Sequence, residues 1–362
     1  MQIELDEKQE VRAMDLHRKS LVLDDHSDVH LDVIRSRGRG ENRVFERRFF
    51  ERWKEAGLNA VVLGTVAKFG PEVYPYRVSP VHNFLLMADA IHQEILESPD
   101  HFFPILEPDD MARAQEEKRI GLMLGLEGAE PLEQDLGFLR CYFRLGMRVM
   151  NLTWHQRNQV ADGVAEPSNS GLSNFGREVV REMNRLGILI DVSHLSTAGV
   201  KDVLQLSTQP VVASHSNAKA VCPHQRNLDD EHIKGIAEKG GVIGITFLGR
   251  FVADEKATLS DVLDHVDHMA ELVGPAHLSV GPDFTDNCAD MIISARRVAG
   301  PGQPVDDTSI PYAEGLDEVT KLPNFTRGLV SRGYSDNDIR GILGENYLRV
   351  FREVYEGATG QA

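Results

Sequence analysis

The sequence predicts an α/β chain folded as a (β/α)8 TIM-type barrel, and three observations lead there. Short apolar runs recur along the 362 residues, each followed by polar or Gly-rich sequence and then a helical pattern, and there are eight of them. The runs are nearly all-apolar rather than alternating, as parallel strands covered on both faces must be. No Gly-x-Gly-x-x-Gly turn follows the first run, which weakens the open dinucleotide-binding sheet as an alternative. Eight repeats favour closure of the sheet into a barrel. The chain is longer than a common domain, but barrels of ~200–400 residues fold as one. A single barrel domain is therefore expected over 1–362, with a helical lead at 1–19 and a long insertion at 290–323.

The strands are expected at "LVLDDHSD" (21–28), "NAVVLGT" (59–65), "IGLMLGLEG" (120–128) and "RVMNLTWH" (148–155), then at "ILIDVSH" (188–194), "PVVASHS" (210–216), "GGVIGITF" (240–247) and "HLSVGPDF" (277–284). Between them, residues 81–97 carry apolar side chains at three- and four-residue spacing, which predicts a helix. Residues 172–187 do the same, with Ser173 as N-cap and Gly187 as the stop. A third helix spans 258–273, starting at Thr258 or Ser260. The insertion at 290–323 holds the irregular "GPGQPVDDTSIP". A closing helix follows at 335–355, where Ser335 and Asp338 have capping-box spacing.

The formal net charge of -17 argues against general affinity for nucleic acid or anionic membrane. Three dispersed cysteines, Cys141, Cys222 and Cys288, include no Cys-x-x-Cys pair, which counts against a disulfide framework or a thiolate metal site. The charged start "MQIELDEKQEVRAMDLHRKS" is no secretory leader, and no run of ~18 apolar residues could span a bilayer. A cytoplasmic location is the expectation.

Functional groups of an α/β barrel gather at the C-terminal ends of its strands. Here His26 and Asp28 end the first strand, Glu127 the third, His155 the fourth, His194 the fifth, His215 the sixth and Asp283 the eighth. Seven ionisable groups closing six apolar runs are hard to assign to chance, because such groups need partners or ions when buried. His26 and Asp28, two apart, point the same way on an extended chain. Glu127, His194 and His215 supply enough ligands for a second ion, with Glu127 able to bridge. A sulfur-free N/O set suits Zn²⁺, with Mn²⁺, Co²⁺ or Fe²⁺ as lesser candidates. Asp24 and Asp25 are out of this pattern and are expected in turns or hydrogen bonds. His30 and Asp32 share its parity but lie past the strand end. Arg226, in "CPHQRNL" after the sixth strand, can hold a carboxylate beside such a pocket.

These residues and their flanks resemble the renal (membrane) dipeptidase family, binuclear zinc peptidases with an amidohydrolase-like barrel. The resemblance runs from about residue 20 to 355. It is carried by "GLEGAEPLEQDLGFLRCYFRLGMRVMNLTWH", "GLSNFGREVVREMNRLGILIDVSHLS", "PVVASHSNAKAVCPHQRNL" and "GYSDNDIRGILGENYLRVF". It implies that His26 and Asp28 bind one Zn²⁺, that His194 and His215 bind the other, and that Glu127 bridges them. It further implies that Asp283 handles the proton of a hydroxide bridging the two ions. His155 then stabilises the oxyanion and touches substrate, and Arg226 takes the substrate's C-terminal carboxylate. Dipeptides, including those with a D-residue at the C-terminal side, are the implied substrates, and a homodimer the implied assembly. Another binuclear amidohydrolase, such as an N-acyl amino acid deacylase, is the alternative. Many of those bridge their metals with a carboxylated Lys, and the third and fourth strand ends here offer Glu127 and His155 instead. The chain departs from the family at Asp25 and Ser27 in "DDHSD", at Leu248 where a Tyr is common, and at Pro282 in "GPDF". Those departures bear on substrate preference.

Overall fold

The computed structural model describes residues 4–67, 79–286 and 311–359. Nine strands lie in chain order: β1 Leu23–Ser27, β2 Ala60–Thr65, β3 Phe102–Pro104, β4 Ile120–Glu127, β5 Met147–Asn151, β6 Leu189–Asp191, β7 Val212–Ala213, β8 Val242–Ile245 and β9 Leu278–Val280. Every neighbouring pair is parallel, in the order β1-β2-β4-β5-β6-β7-β8-β9. These eight are the predicted strands. Main-chain bonds bring the two ends of the ring together, with Asp28 N donating to Phe284 O at 2.9 Å and Asp283 N to His26 O at 3.2 Å. The result is a nearly closed (β/α)8 barrel.

Two differences from the expected strands have physical reasons. The short β3 pairs with Ile120–Leu122 at the foot of β4, before β5 begins at its register partner Leu124. It is three residues long and ends at a proline, too short for a periodic signal. Several strands also stop early: β5 ends at Asn151 rather than 155, and β7 shrinks to two residues. At these ends side chains take over the ladder's hydrogen bonds, as where Asp191 Oδ1 accepts from Ser193 N and Ser214 N.

The predicted helices form around the barrel, and the caps predicted for three of them are in place. Pro80–Glu97 starts after Ser79, whose side chain accepts from His82 N. Asn174–Leu186 runs from the Ser173 cap to Gly187, which turns left-handed at φ 76. Leu259–Val273 opens with a capping box between Thr258 and Asp261. The closing segment is two helices, Asp336–Arg340 and Asn346–Glu356, joined by a wide turn at Gly341–Glu345. There Gly344 rests on Leu21 O, which an added Cβ would approach to 2.6 Å. The second helix plugs the foot of the barrel, burying Tyr347, Val350, Phe351 and Val354 against Leu21, Leu23 and the first apolar residues of the other strands. The N-terminal lead is a helix, Glu7–Lys19, ion-paired through Glu10 to Arg327 at 2.7 Å. Of the insertion expected at 290–323, residues 290–310 lie outside the described residues, and so does Cys288. Residues 311–323 return along the barrel rim and enter the helix Leu322–Ser331.

Candidate metal centre

At the C-terminal end of β1 the register slips. Asp24 pairs with Val61 but Ser27 with Leu63, so three residues of β1 face two of β2. The extra residue is a bulge, a device that re-aims side chains. His26 comes to lie directly over Gly64 of β2, where a Cβ would fall 2.2 Å from its ring. Only glycine allows that approach. The His26 ring also meets the His215 ring at a centroid distance of 3.9 Å.

Glu127, the last residue of β4, faces both halves of the cluster. Its Oε1 lies 2.9 Å from His194 Nε2 and 3.6 Å from His215 Nε2, and its Oε2 lies 3.6 Å from His26 Nε2. Among the described residues three sets of side chains bring ligand atoms together closely enough for a cation. They are Glu127–His194–His215, His26–Asp28–Glu127 and His26–Asp191–His215. The first two share Glu127 and are the expected sets. All five of their residues are buried.

The His194–His215 half of the arrangement is ill-suited to protons and well-suited to a cation. His194 Nε2 stands 2.8 Å from His215 Nε2 while both face Glu127, so three electron-rich atoms converge on one point. His26 Nε2 is buried with no hydrogen-bond partner. A divalent ion satisfies such atoms together, and an N/O donor set without sulfur fits zinc, manganese, cobalt or iron(II). Burial, then the Arg226 charge and neighbouring imidazoles, holds His194 far below the usual histidine range. Burial, then His26 and Arg226, does the same to His215. Both therefore offer neutral lone pairs. Burial also pulls His26 down, but Glu127, with Asp283 and Asp28, outweighs it and lifts the imidazole to about 10.

The remaining expected residues stand around this cluster. His155, in the loop after β5, has its ring 4.7 Å from that of His194 and 4.3 Å from that of Trp154. Arg226 is buried, donates from Nη2 to His215 O at 3.2 Å, and has its guanidinium 5.4 Å from the Phe251 ring centre. Asp283 is left-handed at φ 63, and its charge acts on both His26 and Asp24. Tyr312 donates its hydroxyl to Asp283 O at 2.7 Å.

The other acidic residues of the β1 cluster have structural partners. Asp24 accepts from His26 N at 3.0 Å. Asp25 accepts from the Ser279 hydroxyl. Asp32 pairs with Arg48 at 2.6 Å and Arg35 at 3.2 Å. His30 is buried and driven to about 3, by burial and then by His26. Leu248 is buried and bridged through its backbone to Tyr312.

Two residues at the site were not foreseen. Asp191 carries a signal in the sequence, a lone acid inside the apolar "ILIDVSH". Tyr312 carries none, because it arrives from the long insertion.

The chain is similar to known proteins in sequence and in fold. A dipeptidase of Claviceps purpurea is 34% identical over 257 residues, which cover 70% of this chain and 55% of that protein. A dipeptidase of Clonostachys rogersoniana is 36% identical over 66% of this chain and 56% of its own length. The chain thus spans little more than half the length of these curated relatives. Among solved structures, an amidohydrolase from Pseudomonas aeruginosa superposes with a TM-score of 0.80 at 27% identity, over 95% of this chain and 99% of that one. A metallo peptidase from Rhodobacter sphaeroides, solved with a phosphinate mimic of the dipeptide L-Ala-D-Ala, shares the fold with a TM-score of 0.79 at 24% identity, over 93% and 100% of the two chains. No helix among the described residues is long and apolar enough to cross a membrane. The sequence model of one family matches residues 10–361, which is nearly the whole barrel with every residue of the cluster inside it, and the chain belongs to that family, the membrane dipeptidases of peptidase family M19.

Proposed function

We propose that the protein is a metal-dependent dipeptidase that holds two divalent cations, zinc by preference, and cleaves short substrates with a free C-terminal carboxylate. The observation that carries this reading is the pair of ligand sets sharing Glu127, with one carboxylate oxygen turned to each half. The family and the dipeptidase relatives support it. His26 and Asp28 would hold one ion, His194 and His215 the other, and Glu127 both. Bound cations would supply Lewis acidity to the scissile carbonyl and to the attacking water.

The chain's own residues do the rest. Asp283 accepts the water's proton and returns it to the leaving amine. His155, half-buried beside His194, donates to the oxygen on which charge develops. Arg226 pairs with the substrate carboxylate through its guanidinium. Elemental analysis, together with hydrolysis of L-L and L-D dipeptides before and after chelation, tests the proposal. About two ions per chain and chelator-sensitive cleavage are expected. Ions without dipeptide cleavage would move the substrate to N-acyl amino acids, and failure to hold any metal after reloading would overturn the reading.

A further inference from the structure

Asp191 ends β6 and is 1% exposed, an acid in an otherwise apolar strand. We propose that Asp191 is the positioning residue of the His194–His215 half of the metal centre, and that a single carboxylate oxygen fixes the main chain ahead of both histidines. This rests on the metal-centre reading above and extends it to the polar frame beneath the ligands.

Asp191 Oδ1 accepts from Ser193 N at 2.9 Å and from Ser214 N at 3.1 Å. Each serine immediately precedes a ligand histidine, one at the end of β6 and the other at the end of β7. The two Ser-His pairs are then cross-linked. Ser193 Oγ accepts from His215 N at 3.1 Å, and Ser214 Oγ lies 2.7 Å from His215 Nδ1. With Nδ1 engaged, His215 presents Nε2 toward Glu127, so the Ser214 contact selects the ring nitrogen that faces the metal.

The sheet itself cannot do this job. β6 has three residues, β7 has two, and their only register pair is Asp191 with Val212. A main-chain bond from Val192 N to Val212 O at 2.8 Å still joins the two strand ends, and past it the Asp191 oxygen takes the ladder's place by accepting from Ser193 N and Ser214 N. His194 also needs holding, since it is left-handed at φ 68, a conformation a non-glycine residue keeps only when its surroundings over-determine it.

A competing role is direct ligation, since Asp191 also falls within reach of His26 and His215. That role would use Oδ2, which has no hydrogen-bond partner, whereas positioning uses Oδ1. The two oxygens can be separated. Asp191→Asn keeps one carbonyl oxygen for the two amides and replaces the other by an NH₂ group, which cannot bind a cation. Asp191→Ala removes both.

The test is a zinc competition titration of the full chain against a chromophoric chelator, with thermal unfolding in parallel. In Asp191→Ala one of the two zinc ions should weaken by about 10–100-fold, the scale of a lost supporting contact to a metal ligand. Asp191→Asn should stay within about 3-fold of wild type. Ser193→Ala, which removes the acceptor for His215 N and a 3.3 Å contact with the Ser216 hydroxyl, should weaken the same ion by about 3–10-fold. Wild-type zinc affinity in Asp191→Ala, or a loss in Asp191→Asn as large as in Asp191→Ala, would overturn the proposal. Should Asp191→Ala fail to fold, the other two variants decide: retained binding in Asp191→Asn with weakened binding in Ser193→Ala supports positioning, and the reverse refutes it. A wild-type protein that holds no zinc removes the metal-centre reading itself, whereas two zinc ions in wild type and unchanged binding in the variants remove only the role of Asp191.

Discussion

Gly64→Ala is the smallest change that should disable half of the metal centre. A methyl group at this position would lie 2.2 Å from His26 Cε1, 2.5 Å from Nε2 and 2.8 Å from Nδ1. Ordinary contact begins near 3.4 Å, so the ring must recede by about 1 Å. The His215 ring at 3.9 Å blocks one direction of retreat. Metal–ligand distances tolerate only about 0.2 Å, so a 1 Å displacement takes His26 out of coordination. Gly64 is not in the left-handed region, so alanine adds no backbone strain there. Overpacking should cost about 1–3 kcal/mol in metal-free protein. Separately, the rise in melting temperature on adding zinc should shrink, because stabilisation by a bound ion follows its affinity. Calorimetry with and without zinc reads both effects on one sample. A Gly64→Ala protein with wild-type zinc affinity and an undiminished zinc-induced shift would refute the placement of His26 as a ligand.

Three further outcomes follow from the same geometry. Arg226→Ala should raise KM by about 10–100-fold for dipeptides with a free carboxylate and change little for C-terminally amidated analogues, and equal losses on both would remove the carboxylate from the assignment. Asp162, buried in the loop that carries His155, is held at about 2, first by its hydrogen bond from Arg157 and against the pull of burial, with help from Ser170 and Ser168. A depressed carboxylate contributes stability above its unfolded pKa that is lost as pH falls toward its folded value. Wild type should therefore lose about 2 kcal/mol between pH 5 and 2 that Asp162→Asn does not lose, as read by urea unfolding across that range. Tyr312→Phe removes the hydroxyl that bonds Asp283 O and Thr285 N. It should lower kcat several-fold with metal content unchanged, and a loss of metal instead would place Tyr312 in the ligand frame.

The barrel was legible because its strands are buried on both faces and so lack alternation. The ligands were legible because each closes such a run. Strand lengths were not: β7 is two residues long because side-chain hydrogen bonds replace its ladder, and an apolar run such as "PVVASHS" does not reveal where the pairing stops. The bulge in β1 was also hidden, since parity alone groups His26 with Asp28 and says nothing of an extra residue. Asp191 and Tyr312 show two kinds of omission. Asp191 was visible as an anomaly, a charge inside an apolar run, but one of its two partners, Ser214, lies just past β7. Tyr312 reaches Asp283 from 29 residues away across an insertion, a contact that no local pattern encodes.

Asp283 offers the sharpest separation of chemistry from architecture. Its main chain closes the barrel, donating from N to His26 O at 3.2 Å and accepting from the Tyr312 hydroxyl at 2.7 Å. Neither bond uses the carboxylate. Its φ of 63 is a conformation that asparagine adopts at least as readily as aspartate. Asp283→Asn therefore keeps the closure, the backbone geometry and the side-chain shape, and removes the negative charge together with the ability to take a proton. None of the cation-capable sets among the described residues includes Asp283, so zinc binding should survive. Turnover should fall by about 10²–10⁴-fold, the range for loss of a positioned general base, with KM little changed. Asp283→Ala should lose turnover and stability together, because alanine is poorly suited to that φ. Full activity in Asp283→Asn would show that the proton goes elsewhere. Loss of a metal ion with folding intact would instead show that the carboxylate is a ligand, and proton transfer would then have to be reassigned among the groups around Glu127.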